Sequence, residues 1–235
     1  MTESHPANAS PAAATTRIVA ATVHGRMLVQ LPRSVRPNRW FVGFHGYAQN
    51  AEMMLEMLSR VPGAERWLLA SVQALHPFYN RADVVVANWM TRQDREHAIA
   101  DNIGYVDAVW ADLAQEFGEP RALVCAGFSQ GVAMAYRAAT RGQRRADAVL
   151  AVAGDVPPEL LSDEAVQWPQ VRIVTGSGDD WYTPAVMRKD VSALEAAGAR
   201  VSASVFEGGH EWTNEVNEAA AALLAEFGAR PGSIP

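Results

Sequence analysis

Cysteine, long apolar runs and basic clusters are all scarce in this 235-residue chain, and each scarcity excludes something. The single cysteine, Cys125, rules out a disulfide framework within the chain, and its place in an apolar run reads as a small buried hydrophobe. No stretch approaches the ~18 consecutive apolar residues that a membrane-spanning helix needs. A formal net charge of −6 argues against nucleic acid or an anionic membrane as the main partner, since both select basic clusters. The densest cationic group, Arg141, Arg144 and Arg145 around Gly142 and Gln143, reads as a solvated helix end. The segment Met1 to Thr16 is rich in Ala, Pro, Ser and Thr, and lacks the basic start and apolar centre of a signal peptide. It is expected to be a disordered tail on a cytoplasmic protein, with residues 17–235 forming one domain.

Apolar periodicity in the remainder alternates between strand and helix. Trp40 to Phe44 is a continuous apolar run, as in a strand buried on both faces. Asn50 is placed to cap a helix with Met53, Met54, Met57, Leu58 and Val61 on its apolar face, which would serve equally a core or the face of a homodimer. Trp67 to Val72 reads as a further strand. Gln73 to Trp89 has no clear period. Thr91-x-x-Asp94 then reads as a capping box opening a long helix, whose stripe Ile99, Ile103, Val106, Trp110, Leu113 and Phe117 steps by four and three. Strands are expected at Ala148 to Ala153, Val171 to Thr175 and Val201 to Phe206, with helices after Thr183-Pro184 and after Thr213-Asn214. Ahead of all these, Ile18 to Thr22 and Arg26 to Gln30 suggest an antiparallel hairpin at a sheet edge. From Trp40 onward the alternation implies an α/β fold with a mostly parallel sheet covered on both faces.

The stretch Ala122 to Tyr136 joins an apolar strand to an Ala-rich helix through Gly127-Phe128-Ser129-Gln130-Gly131. This is the layout of a nucleophile elbow, a sharp strand-to-helix turn that lifts a serine hydroxyl above the sheet. Ligands of open parallel sheets sit outside the carboxyl ends of strands. Polar residues just after predicted strands are His45, Ser129, Asp155, Asp179 with Asp180, and His210. Serine needs a base within hydrogen-bond reach and an acid that fixes the tautomer of that base. The chain order serine, acid, histidine is met by Ser129, Asp179 and His210 as catalytic candidates, with Asp155 the next candidate for the acid. The oxyanion of an acyl transfer would take backbone N–H donors from Gln130, at a helix start, and from Tyr47, in the loop after Trp40 to Phe44. His45 reads as an organiser of that loop. Phe78, Trp89, Trp181 and Trp212 fall in or near strand-end segments and are candidates to line an acyl pocket.

Taken together, His45-Gly46-Tyr47-Ala48-Gln49-Asn50, Gly127-Phe128-Ser129-Gln130-Gly131, Gly176-Ser177-Gly178-Asp179 and Gly209-His210 resemble the phospholipase/carboxylesterase family of small α/β-hydrolases. The resemblance runs from about Trp40 to Phe227 and is weak before Trp40. It implies the α/β-hydrolase fold and a serine hydrolase of carboxylic ester or thioester bonds that uses no metal and no organic cofactor. Ala48 departs from the family, where a glycine followed by an acid is common, and this bears on the oxyanion loop. Only Gly154 to Gln170 separates the strands between which this fold carries cap domains, so no cap and an open site are expected for small to medium acyl substrates. Amide or lactone hydrolysis and perhydrolysis would use the same three residues. A fold retained for binding alone would more often lack one of them.

Overall fold

The apolar runs become the inner strands of one sheet, because a strand that is apolar at every position can bury both faces. The computed structural model describes residues 14–33 and 36–228. Seven strands, β1 (Arg26–Gln30), β2 (Arg39–Phe44), β3 (Leu68–Gln73), β6 (Ala122–Phe128), β7 (Ala148–Val152), β8 (Gln170–Gly176) and β9 (Val201–Phe206), lie in the order β1-β3-β2-β6-β7-β8-β9. Every pairing is parallel except β1 with β3, where Arg26 faces Gln73 and Gln30 faces Leu69. A separate two-stranded hairpin, β4 (His76–Tyr79) and β5 (Val85–Asn88), occupies the stretch that had no clear period.

Alternation along the strands divides the core in two. Trp40, Val42 and Phe44 point to one face, where they meet α2 (Arg95–Phe117), α3 (Gln130–Arg141) and α5 (Pro184–Ala196). Phe41, Val124, Leu150 and Val152 point to the other, against α1 (Ala51–Ser59) and α6 (Asn214–Gly228). The predicted stripe of α2 does this work: Val106, Trp110 and Leu113 are buried, and Trp110 stacks on Trp40 with ring centroids 6.4 Å apart. Truncating such a ring to Ala typically costs ~3–5 kcal/mol. On α1, Met54 and Leu58 are buried, while Met53 stays partly exposed.

Helix starts follow their caps. Asn50 Oδ1 accepts from the Met53 N–H at 3.0 Å, and Thr183 Oγ1 accepts from the Val186 N–H at 3.3 Å. Two expectations need correction. Ile18 to Thr22 forms no strand, and β1 pairs with β3 instead because the backbone edge of β3 is the one left open there. Thr91 does not cap α2: Asp94 is the N-cap residue, with φ +49° and no side-chain cap bond, while the Thr91 hydroxyl accepts from Gln93 N. Residues 1–13 of the expected tail lie outside the described residues. Between β7 and β8 the chain makes only the one-turn α4 (Pro158–Leu161), so no cap domain is inserted there. Among the described residues no helix is long and apolar enough to cross a membrane.

The order of the strands reverses direction at β2: the chain steps outward to β3 and then returns to place β6 on the other flank of β2. A crevice opens outside strand ends at such a reversal. The loops leaving β2 and β6 are those that carry His45-Gly46-Tyr47 and Ser129.

Candidate active site

Ser129 sits between β6 and α3 with φ +52° and ψ −121°, a conformation that side-chain-bearing residues rarely adopt and that the surroundings must impose. Two close approaches impose it. A Cβ on Gly131 would lie 2.0 Å from the Phe44 carbonyl oxygen, and one on Gly127 would lie 2.5 Å from that of Gly131. Only glycine lets α3 start this close to the loop leaving β2. The Ser129 N–H is fixed by the Val152 carbonyl at 2.9 Å, and its own carbonyl accepts from Val132 N at 3.0 Å.

The loops after β8 and β9 are bound to each other before they reach the serine. Ser177 N donates to Phe206 O and Gly178 N donates to Gly208 O, both at 2.8 Å, and a Cβ on Gly176 would strike Gly209 O at 2.3 Å. This places His210 between Asp179 and Ser129. His210 Nδ1–H donates to Asp179 Oδ2 at 2.9 Å, and Nε2 is 2.8 Å from Ser129 Oγ. Because a carboxylate only accepts, the proton is on Nδ1 and Nε2 is free to receive one from the serine. The second Asp179 oxygen accepts from the N–H groups of Trp181 at 2.8 Å and Tyr182 at 2.9 Å. Asp179 is buried, whereas Asp155 is exposed on the cleft lining and makes no hydrogen bond to His210 among the described residues. Asp180 is exposed as well.

His45 is completely buried. Its Nε2 accepts from Ala74 N at 3.1 Å, so its proton lies on Nδ1, which donates to Gly46 O at 2.7 Å. Burial pushes its pKa down from the ordinary value, which holds the ring neutral. It therefore pins the loop that turns past the elbow. A Cβ on Gly46 would be 3.3 Å from Ser129 Cβ, so the next residue, Tyr47, is beside the nucleophile. The Tyr47 N–H makes no hydrogen bond among the described residues, and the Gln130 N–H, first in α3, has no intrahelical acceptor. Ala48, where the sequence departs from the related pattern, takes φ +57° and donates to Ala87 O at 3.2 Å.

The side chain of Gln130 does something its motif position did not announce. Its Nε2 donates to Asn88 Oδ1 at 2.8 Å and Met90 O at 3.0 Å, and its Oε1 accepts from Trp89 N at 3.1 Å. The segment 88–90 is clamped to the start of α3, and Asn102 of α2 holds Trp89 O at 2.8 Å from behind.

An open cleft of about 510 Å³ adjoins Ser129 and His210. Its lining includes Met90, Ala133, Val156, Pro157, Pro158 and Trp181, with Thr91, Arg92 and Arg95 contributed by the approach to α2. Of the aromatic candidates, Trp181 belongs to this cleft and is 85% exposed. The other three do not line it. Trp89 is fully buried against His45 and Phe44, with its indole N–H on His45 O at 2.8 Å. Phe78 packs on Tyr47 at 5.8 Å, and Trp212 packs on Phe128 while donating to Asn217 Oδ1. Each ring has found apolar surface or a polar partner elsewhere, which composition could not foretell. Tyr182 is buried, its hydroxyl donating to Asp190 Oδ2 at 2.9 Å, and burial raises the pKa of both groups. Arg92 and Arg95 stand on the cleft lining with no motif in the sequence to mark them. The signal for them was two cations at a helix start, where acidic residues are the rule. Among the described residues no group of three or more His, Cys, Asp or Glu is placed to hold a metal ion.

No protein-family model matches the chain, and no curated protein does. Solved structures do. Esterase PE8 is 24% identical, with 88% of this chain and 100% of that one covered at a TM-score of 0.69. The carboxylesterase of Bacillus cereus is 17% identical, with 86% and 94% covered at 0.69. Acyl-protein thioesterase 2 of Zea mays is 17% identical, with 87% and 99% covered at 0.65. These likenesses show that the chain has the α/β-hydrolase fold.

Proposed function

We propose that this α/β-hydrolase-fold chain is a serine hydrolase of carboxylic esters, thioesters included, with Ser129 as nucleophile, His210 as base and Asp179 as the acid that orients it. The observation that carries the reading is the unbroken hydrogen-bonded line from Asp179 Oδ2 through His210 to Ser129 Oγ, at 2.9 and 2.8 Å. The printed activities of the similar structures, esterase, carboxylesterase and acyl-protein thioesterase, belong to those proteins and support the same class here.

In this mechanism Ser129 Oγ attacks the carbonyl carbon as its proton passes to His210 Nε2. The imidazolium is held by Asp179, whose other oxygen is occupied by two backbone donors and so cannot swing away. The carbonyl oxygen, now an alkoxide, lies toward the N–H groups of Gln130 and Tyr47, with the N-terminal end of the α3 dipole behind it. Collapse of the intermediate expels the alcohol or thiol, which takes the proton from His210. A water then repeats the sequence on the acyl-enzyme, delivering its proton to His210 and releasing the carboxylic acid and free Ser129.

A nitrophenyl ester of short chain length tests this. Ser129→Ala should lower kcat by ~10⁴-fold or more with an unchanged circular dichroism spectrum. Full turnover in that variant would refute the assignment.

A further inference from the structure

The surface charge of the chain and the charge at its cleft disagree. The protein is acidic overall, at −6, yet the lining beside Ser129 brings two guanidinium groups, Arg92 and Arg95, against a single carboxylate, Asp155. Neither arginine has an ion-pair or hydrogen-bond partner among the described residues, whereas those that looked like a basic cluster in sequence are largely neutralised, Arg141 by Asp163 and Arg144 by Glu119. Both cleft arginines are exposed and free to extend.

Asp94 and Glu96 flank Arg95 in sequence, yet neither forms an ion pair with Arg92 or Arg95 among the described residues. Arg95 is the first residue of α2, a 23-residue helix whose N-terminal end already carries positive partial charge, and Asp94 supplies no side-chain cap bond to offset it. A third guanidinium stands behind the first two. Arg137 is fully buried, and both its Nε (2.8 Å) and one terminal nitrogen (2.6 Å) bond the same oxygen of Glu159, while its other terminal nitrogen meets only the sulfur of Met90 at 3.8 Å. Met90 lines the cleft. Arg95 lies near enough to favour the charged form of Glu159 and oppose that of Arg137. With Arg137 paired to Glu159, the two exposed guanidinium groups Arg92 and Arg95 are the cations on this part of the cleft, while Val156, Pro157, Pro158 and Trp181 supply apolar surface.

We propose that the cleft selects esters carrying an anionic group, a carboxylate or a phosphate, a few bonds from the scissile carbonyl, and that Arg92 and Arg95 read that group. The inference rests on the serine hydrolase reading above. A planar guanidinium fork suits both oxyanions, and such charge-assisted bonds are about twice as strong as neutral ones. A cleft of about 510 Å³ leaves room for a short chain between the carbonyl and the anion.

The test compares three nitrophenyl esters of matched length: the neutral valerate, the glutarate monoester ending in a carboxylate, and an analogue ending in a phosphonate. In 20 mM salt, kcat/KM of at least one anionic ester should exceed that of the valerate by about 10- to 100-fold, mainly through KM. Which anionic ester is preferred identifies the source of the charge. The ratio of anionic to neutral turnover, measured within each variant, should fall to about one in an Arg92→Gln/Arg95→Gln protein. It should invert when both are Glu and be partly kept when both are Lys. It should also shrink at high salt in the parent protein. Thermal melts check that the variants fold. A ratio near or below one in the parent, or one that survives the double Gln substitution, overturns this proposal while valerate hydrolysis leaves the hydrolase reading standing. Absence of turnover on all three esters, with Ser129 unreactive, removes both.

Discussion

Two parts of the cleft are neighbours in space and opposites in construction. Ser129, Asp179 and His210 each follow a strand of the central sheet by one to four residues, and their loops are tied by backbone bonds such as Ser129 N to Val152 O and Gly178 N to Gly208 O. The wall formed by residues 88–95 follows no strand of that sheet. It is held from the side, by Gln130 on Asn88, Trp89 and Met90, and by Asn102 on Trp89. A position anchored by a strand inherits the geometry of the sheet, so its motif can be read locally. A position anchored by side-chain clamps depends on partners 13 to 42 residues away. On the proposed reading the first part carries the chemistry and the second the recognition.

The largest effect should come from breaking the strand-anchored part. Asp179→Asn keeps the shape but offers an N–H where His210 needs an acceptor, and kcat should drop by ~10³- to 10⁴-fold. The same change at exposed Asp155 should move kcat by less than about fivefold. Equal losses at the two positions would erase the distinction between orienting acid and cleft lining. Next comes the oxyanion loop: Tyr47→Pro deletes one N–H and should cost ~10²- to 10³-fold in kcat with little change in KM.

The clamp is expected to act on stability and on recognition more than on the chemical step. Gln130→Ala removes three hydrogen bonds but keeps the backbone N–H, so about 2 kcal/mol of stability should be lost, a Tm lower by about 4–8 °C. A fall in Tm without any rise in KM for esters would show that the wall does not depend on the clamp.

The smallest effect is a pH dependence of stability set by His45, which burial keeps neutral. Its folded pKa lies below its ordinary value of about 6.5, so the unfolded chain binds the extra proton first. Its contribution is whole above pH ~6.5 and is lost as pH falls below that value toward the folded pKa, at no more than ~1.4 kcal/mol per pH unit. Denaturant midpoints measured from pH 7.5 to 5 should show this slope, flattened in His45→Gln.

The contrast also explains what could be read from the sequence. The runs Trp40 to Phe44 and Ala122 to Phe128, and the stripe through Val106, Trp110 and Leu113, carry the fold because their period alone states which faces are buried. Ser129, Asp179 and His210 were visible as candidates because each stands just past such a run. Trp89 was not, since a ring at a strand end can turn inward or outward, and its direction is decided by the His45 carbonyl more than forty residues earlier. Ile18 to Thr22 had strand composition, yet the open edge of β3 was taken by Arg26–Gln30. Arg92 and Arg95 belong to no strand or helix period, and the capping pattern of a helix start carries no information on the cations beside it.

The central claim is that Ser129 is an activated nucleophile. Treatment with a fluorophosphonate probe, followed by peptide mass mapping, tests it without any choice of substrate. One adduct is expected, on Ser129, formed rapidly in the parent protein, abolished in Ser129→Ala and slowed at least ~10²-fold in His210→Ala. No adduct on the folded parent protein, or an adduct on another serine with Ser129 unmodified, would contradict it.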